Sequence, residues 1–135
     1  MEQLDLSPVS AFGATMLRFI LAGFWIVHWW FKVGYRGMTA TEAFFGQQGL
    51  PVWLAWFVVS FEVVIAICLI LGVYVTFVCL ISLPILFASM WIYRTNGFYF
   101  SGGGIELPTF WVGAQMAQAL LGPGAFRIAL PTWMP

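Results

Sequence analysis

Four long apolar runs dominate the chain, and they predict four membrane-spanning helices. The runs cover residues 14–33, 52–73, 75–93 and 108–121. A helical span needs about 20 predominantly apolar residues. These runs lack the alternating pattern of barrel strands, and only helices and closed barrels satisfy every backbone group in lipid. The predicted fold is therefore all-α, a transmembrane four-helix bundle that the chain, 1–135, forms as a single domain.

The connections between the runs differ in length and polarity. Only Gly72, Val73 and Tyr74 turn the chain between the second and third runs, which predicts a tight antiparallel hairpin. The first connection is polar, and residues 39–47 within it are compatible with a short helix at the membrane interface. The third connection, residues 94–107, contains three consecutive glycines and predicts a loop folded against the mouth of the bundle.

The composition agrees with a lipid-facing surface. Hydrophobic residues make up 62% of the chain and charged residues only 7%, with a mean hydropathy of +0.95. A soluble domain needs roughly a quarter of its residues charged. The formal net charge is zero, from five basic and five acidic residues, so neither a nucleic-acid footprint nor a polybasic membrane patch is indicated.

The distribution of basic residues favours one orientation in the membrane. Lys32, Arg36 and Arg94 lie on the side of the first and third connections, whereas Arg127 lies on the side of the termini. The positive-inside rule then favours cytoplasmic first and third connections. The first ten residues carry no Lys or Arg, unlike a secretory signal, so the first run is expected to be retained as an anchor. We expect a multi-pass protein of the inner (cytoplasmic) membrane.

Ionisable residues inside the predicted spans are the first candidates for function, because a charge in hydrocarbon costs a few kcal/mol. Arg18, His28 and Lys32 share one stripe of the first helix, which should face the bundle interior. Glu62, in the second helix, has a depth between those of Arg18 and His28 and is expected to pair with one of them. Such a pair either fixes helix register or takes part in proton or ligand chemistry, and both interpretations stay open.

Weaker polar features allow two interpretations as well. The third helix carries a stripe with Ser82 and Ser89, and the fourth carries one with Trp111 and Gln115. These stripes either line a polar interior or pack the helices closely. Cys68 and Cys79 are interpreted mainly as packing residues rather than a redox pair, and His28 with Glu62 and Glu106 is too sparse a ligand set to predict a metal site. Tryptophans near the span ends predict an aromatic belt at positions 29, 30, 53, 91, 111 and 133.

Short motifs follow one another in a set order along the chain. They are Arg18, then His28 with Lys32 four residues on, the tripeptide Gly49–Pro51, the segment FEVVIAICLILGV with Glu62, the segment NGFYFSGGGIELP (Asn96–Pro108) and the segment LLGPG (Leu120–Gly124). Their combination, from about Leu17 to Gly124, resembles the DoxX family of four-helix membrane proteins. One departure is Trp29–Trp30, where members often have a glycine after the histidine. Some relatives are subunits or domains of thiosulfate:quinone oxidoreductases, so the resemblance implies a redox-linked role.

The leading hypothesis is a membrane subunit that binds quinone, or docks a redox partner, through a buried polar network. The residues assigned to that network are Arg18, His28, Lys32, Glu62, Asn96, Glu106 and Gln115. His28 or Glu62 would exchange protons with the quinone oxygen, and Arg18 or Lys32 would stabilise developing negative charge. Quinone is the one cofactor indicated. The chain carries no haem, flavin or iron–sulfur motif, so electrons would come from a partner and the chain is not a complete oxidoreductase alone.

Two other classes of function stay open. One is a non-catalytic accessory subunit that assembles with a larger membrane complex. The other is a small-molecule transporter, which four helices without inverted repeats would need a dimer to form. The expected partners are the lipid bilayer and other membrane or redox proteins, with a homo-oligomer as a further option and without nucleic acid.

Overall fold

A computed structural model of the chain describes residues 8–128, and every regular element within that range is helical. Helix α1, Pro8–Trp30, continues into a π-helical turn, Phe31–Tyr35. The other helices are α2, Met38–Gln47; α3, Val52–Leu71; α4, Val75–Tyr93; and α5, Glu106–Leu121. Two single 3₁₀ turns, Arg94–Asn96 and Phe100–Gly102, lie between α4 and α5. The all-helical fold class is thereby confirmed, and α2 is the short helix expected in the first connection.

Within residues 8–128, three helical stretches are long and apolar enough to cross a membrane: Pro8–Tyr35, Val52–Leu71 and Val75–Asn96. The fourth predicted run is also a helix, but α5 has only 16 residues. At a rise of 1.5 Å per residue, that length is about 24 Å, less than the roughly 30 Å of a hydrocarbon core. Residues Gly72, Val73 and Tyr74 separate α3 from α4, and the two helices contact each other.

The helices pack through one inward stripe each. On α1 the buried residues recur every three or four positions, as one face of a helix requires. Helix α1 packs against α3, and α4 packs against α5. The core between them is centred on Leu21, Trp25, Ile65, Leu69 and Trp111. Large apolar side chains such as Phe77 and Leu120 are exposed, as expected where lipid is the solvent.

A C-terminal strap, residues 122–128, folds back over the ends of α1 and α3. The Ala125 N–H donates to Thr15 Oγ1 at 2.9 Å, and the Ile128 N–H donates to the Leu71 carbonyl oxygen at 3.0 Å. The strap therefore closes the end of the molecule at which α3 turns into α4. The predicted belt residue Trp133 lies outside the described residues.

Candidate functional site: a buried ion pair and its cavity

Lys32 and Glu62 form an ion pair between α1 and α3. Lys32 Nζ donates to Glu62 Oε1. The Glu62 side chain is 1% exposed, whereas that of Lys32, in the π-helical turn, is 24% exposed. Glu62 was expected to pair with Arg18 or His28, and that expectation is wrong because its partner is Lys32.

The direction of side chains on a helix explains this pairing. Each Cα–Cβ bond of a helix tilts toward the helix N-terminus. The long side chain of Lys32 consequently leads from the end of α1 back toward the middle of α3, where Glu62 lies. The side chain of Arg18 leads the opposite way from Glu62, toward the strap. A depth estimate from backbone rise alone omits this reach.

His28 lies beside the ion pair, on the same face of α1. Its Nδ1 is 2.9 Å from the carbonyl oxygen of Phe24, so Nδ1 carries the proton that the carbonyl accepts. Nε2 is then the acceptor nitrogen of the neutral ring. The imidazole also packs edge-on against Trp111, with ring centroids 4.6 Å apart.

The ion pair opens onto a small inner cavity of about 70 Å³. Its polar wall consists of His28, Lys32, Glu62 and Ser89, and its apolar wall includes Trp25, Leu86 and Trp111. Three of these residues have a buried polar atom without a hydrogen-bond partner in the described structure: Glu62 Oε2, Trp25 Nε1 and Trp111 Nε1. Buried polar groups are almost always paired with protein, water or ligand. The residues that line the inner cavity thus include two unpaired indole donors and one unpaired carboxylate acceptor.

A larger outer cleft of about 570 Å³ adjoins the inner cavity. The two share His28, Lys32, Ser89, Leu107 and Pro108. The rest of the outer cleft is mainly aromatic, with side chains from the π-helical turn, α2, α4 and the loop before α5. They are Phe31, Phe44, Phe45, Tyr93 and Phe100. At its rim the Arg36 guanidinium lies 5.4 Å from the Phe44 ring centroid. The outer cleft therefore combines aromatic walls with the basic residues Lys32 and Arg36.

Four other residues predicted for the network lie elsewhere. Arg18 donates to the Phe126 carbonyl oxygen in the strap. Asn96 Nδ2 donates to the Gly103 carbonyl oxygen at 3.1 Å, and Glu106 Oε2 accepts the Phe100 N–H at 2.8 Å. Gln115 Nε2 donates to Ser82 Oγ at 2.8 Å and joins α5 to α4 in the core. Of the predicted network, the cavity brings together His28, Lys32 and Glu62.

Trp111 is a cavity residue for which the sequence pattern gave two positions, the interfacial belt and the stripe with Gln115 on the fourth helix. Trp30, Trp53 and Trp91 are exposed, as belt residues would be, whereas Trp111 is buried. Its ring contacts that of Trp25 at 4.8 Å. Its burial agrees with the stripe that Trp111 shares with Gln115 on α5, since that stripe faces the core.

The remaining candidates for chemistry are sparse. Cys68 and Cys79 are both free thiols, and Cys79 is buried. Within residues 8–128, no cluster of three or more His, Cys, Asp or Glu side chains is placed to hold a metal ion. The inner cavity and the outer cleft together are therefore the candidate functional site.

Comparison with known proteins adds a family. The family model described as DoxX matches residues 13–95, more than half of the chain. The match contains His28, Lys32 and Glu62, and it ends before the loop and α5 that complete the cavity. No curated protein and no solved structure matches the chain.

Proposed function

The chain belongs to the DoxX family, and from that premise we propose that it is a quinone-binding membrane subunit. In this proposal the inner cavity receives one carbonyl edge of the quinone ring, while the ring and the start of its tail occupy the outer cleft. The cleft volume of about 570 Å³ lies within the range of small-molecule sites, roughly 300–1,000 Å³.

The observation that carries the proposal is the convergence of unpaired polar atoms beside a charged pair. A quinone oxygen accepts hydrogen bonds, and Lys32 Nζ and the indole N–H groups of Trp25 and Trp111 are donors. A quinol hydroxyl donates, and Glu62 Oε2 is an acceptor without a partner in the described structure. Both redox forms of the headgroup can therefore be satisfied by the same wall.

The residues of the cavity also suggest how protons would move. Reduction of a quinone to a quinol takes two electrons and two protons. In the proposal a partner redox protein supplies the electrons, because the chain has no redox motif of its own. Glu62 and His28 Nε2 first take up the two protons from water and then pass them to the two reduced oxygens, since a carboxylate and an imidazole are effective general acids and bases. Lys32 stabilises negative charge that develops on the quinone oxygen.

The proposal includes the arrangement of the helices in the membrane. Here α5 is the fourth helix of a transmembrane bundle, and α3 with α4 forms an antiparallel hairpin. The support is that α5 packs against α4 and α1 and buries Gln115 and Gln118 inward. Polar side chains are tolerated at membrane depth when they face the bundle interior. The proposed location is the inner membrane.

Binding of a short-chain ubiquinol, the reduced form, to the protein in a mild detergent without oxygen tests the proposal. Isothermal titration should show saturable binding, and Glu62→Gln should weaken it at least about tenfold, because the quinol hydroxyl loses its charge-assisted hydrogen bond to the Glu62 carboxylate. The matched control is Glu42→Gln. Glu42 accepts the Trp56 N–H and lies outside the residues that line the cavity and the cleft, so its replacement should leave the affinity unchanged.

Two results would overturn the proposal. One is an absence of saturable binding by the folded wild-type protein. The other is an equal loss of affinity in Glu62→Gln and Glu42→Gln. Co-purification of a larger membrane complex whose turnover is indifferent to Glu62→Gln would favour the accessory-subunit alternative instead.

A further inference from the structure

Arg18 is a buried charge with too few partners. Its side chain is fully buried. One nitrogen, Nη2, donates to the Phe126 carbonyl oxygen, while Nε and Nη1 have no partner in the described structure. Its other close contact is the Phe19 ring, 5.1 Å away. A buried guanidinium is normally matched by a negative charge, and a neutral carbonyl does not provide one.

The acids of the described chain are committed elsewhere. Glu62 pairs with Lys32, Glu42 accepts the Trp56 N–H, and Glu106 accepts the Phe100 N–H. Each of these carboxylates thereby has a partner away from the strap. Within residues 8–128, none of them is available to neutralise Arg18.

The base of a second basic side chain, that of Arg127, lies near Arg18. Both residues adjoin Gly72, the first residue of the turn between α3 and α4. A Cβ atom on Gly72 would overlap the Arg18 guanidinium and lie 2.9 Å from the Cβ of Arg127. Because this turn joins two candidate spans, it lies near the level of lipid headgroups. The exposed side chain of Arg127 thus starts beside the buried Arg18 guanidinium at this turn.

We propose that Arg18 and Arg127 form a binding site for a phosphate group, either that of an anionic phospholipid or free phosphate. A phosphate oxygen takes the position of the Phe126 carbonyl, and the free nitrogens of Arg18 donate to the same group. Guanidinium and phosphate form strong charge-assisted hydrogen bonds. The strap can yield because Phe126 and Arg127 are exposed and a few backbone hydrogen bonds hold it.

Native mass spectrometry in a neutral detergent tests the site with a short-chain phosphatidylglycerol as the probe. The wild-type protein should retain the lipid, and Arg18→Gln should weaken retention at least about tenfold, as expected for loss of charge-assisted hydrogen bonds. Arg127→Gln should weaken it by a smaller factor. Arg94→Gln is the matched control, because Arg94 stacks on Trp91 after α4, and it should bind like the wild type.

Further arms separate the sources of the phosphate and the outcomes. If phosphatidylglycerol stays bound in the presence of inorganic phosphate at equal concentration, the site is assigned to lipid. If inorganic phosphate at that concentration displaces the lipid, the site is assigned to the free ion. Equal binding of phosphatidylcholine, which is neutral overall, or equal losses in Arg18→Gln and Arg94→Gln, would overturn the proposal. So would unchanged binding in Arg127→Gln, which decides the matter if Arg18→Gln does not fold.

Discussion

Replacing Lys32 with methionine is expected to destabilise the folded protein by about 3 to 5 kcal/mol, the cost of leaving one member of a buried ion pair alone. The carboxylate of Glu62 is 1% exposed and would lose the cation that compensates it. Glu62→Gln should cost less, because the Lys32 side chain it leaves behind is 24% exposed and can extend toward water at the end of α1. Reversible unfolding in mixed micelles measures both free energies.

A double variant and a matched control make this prediction specific. Lys32→Met with Glu62→Gln should recover much of the loss, because no unpaired charge then remains in the core. Arg36→Met, four residues along the same end of the helix, removes a cation that stacks on Phe31 and Phe44 and should cost about 1 kcal/mol or less. A double variant as unstable as Lys32→Met alone would show that the ion pair is not the origin of the effect.

The positions of the long helices follow from the sequence because lipid imposes simple rules. Proline and glycine frame α3, which begins after Pro51 and ends before Gly72, and the apolar run between them has the length of a span. The bounds of α1 were less accessible. It begins six residues before the predicted run and ends in a π-helical turn, since the length of an apolar run does not mark where helical hydrogen bonding begins and ends.

The C-terminal strap could not be predicted, for a different reason. Its contacts with α1 and α3 include backbone hydrogen bonds from Ala125 and Ile128. Backbone groups are the same in every residue, so such contacts leave little trace in the side-chain pattern. Arg18 shows the consequence, because its partner is a strap carbonyl rather than the carboxylate that charge matching suggests.

The candidate site was predictable in part. Helical periodicity placed His28 and Lys32 on one face, and the cost of burying charge indicated a partner for Glu62. Which cation pairs with Glu62 depends on the direction and length of the side chains. The spacing of residues along the helix axis gives their depth in the bundle but not those two properties. The role of Trp111 depends on how α5 is rotated against α1 and α4, which is a property of tertiary packing.

Three consecutive glycines precede α5, and the structure gives them different roles. Only Gly103 has a positive φ angle, +71°. Gly104 is buried where the loop closes on itself, with the Glu106 N–H donating to the Phe98 carbonyl oxygen at 2.8 Å. A Cβ on Gly104 would overlap the Gly97 carbonyl oxygen and lie 2.6 Å from that of Phe98. A Cβ on Gly102 would lie 3.5 Å from the Asn96 carbonyl oxygen, an ordinary contact distance.

Gly104→Ala is therefore expected to destabilise the protein by about 2 to 3 kcal/mol, as overpacking against immobile atoms does, whereas Gly102→Ala should stay within about 0.5 kcal/mol of the wild type. The obstructing atoms belong to the backbone, so the loop must open to admit the methyl group. Because Gly104 also lines the outer cleft, the Gly104→Ala variant should bind a short-chain ubiquinone more weakly than the wild type. The Gly102→Ala variant should bind it like the wild type. Unfolding in mixed micelles and titration of the folded variants measure the two effects. Equal stability of the two alanine variants would show that close backbone approach at Gly104 does not hold the loop in place.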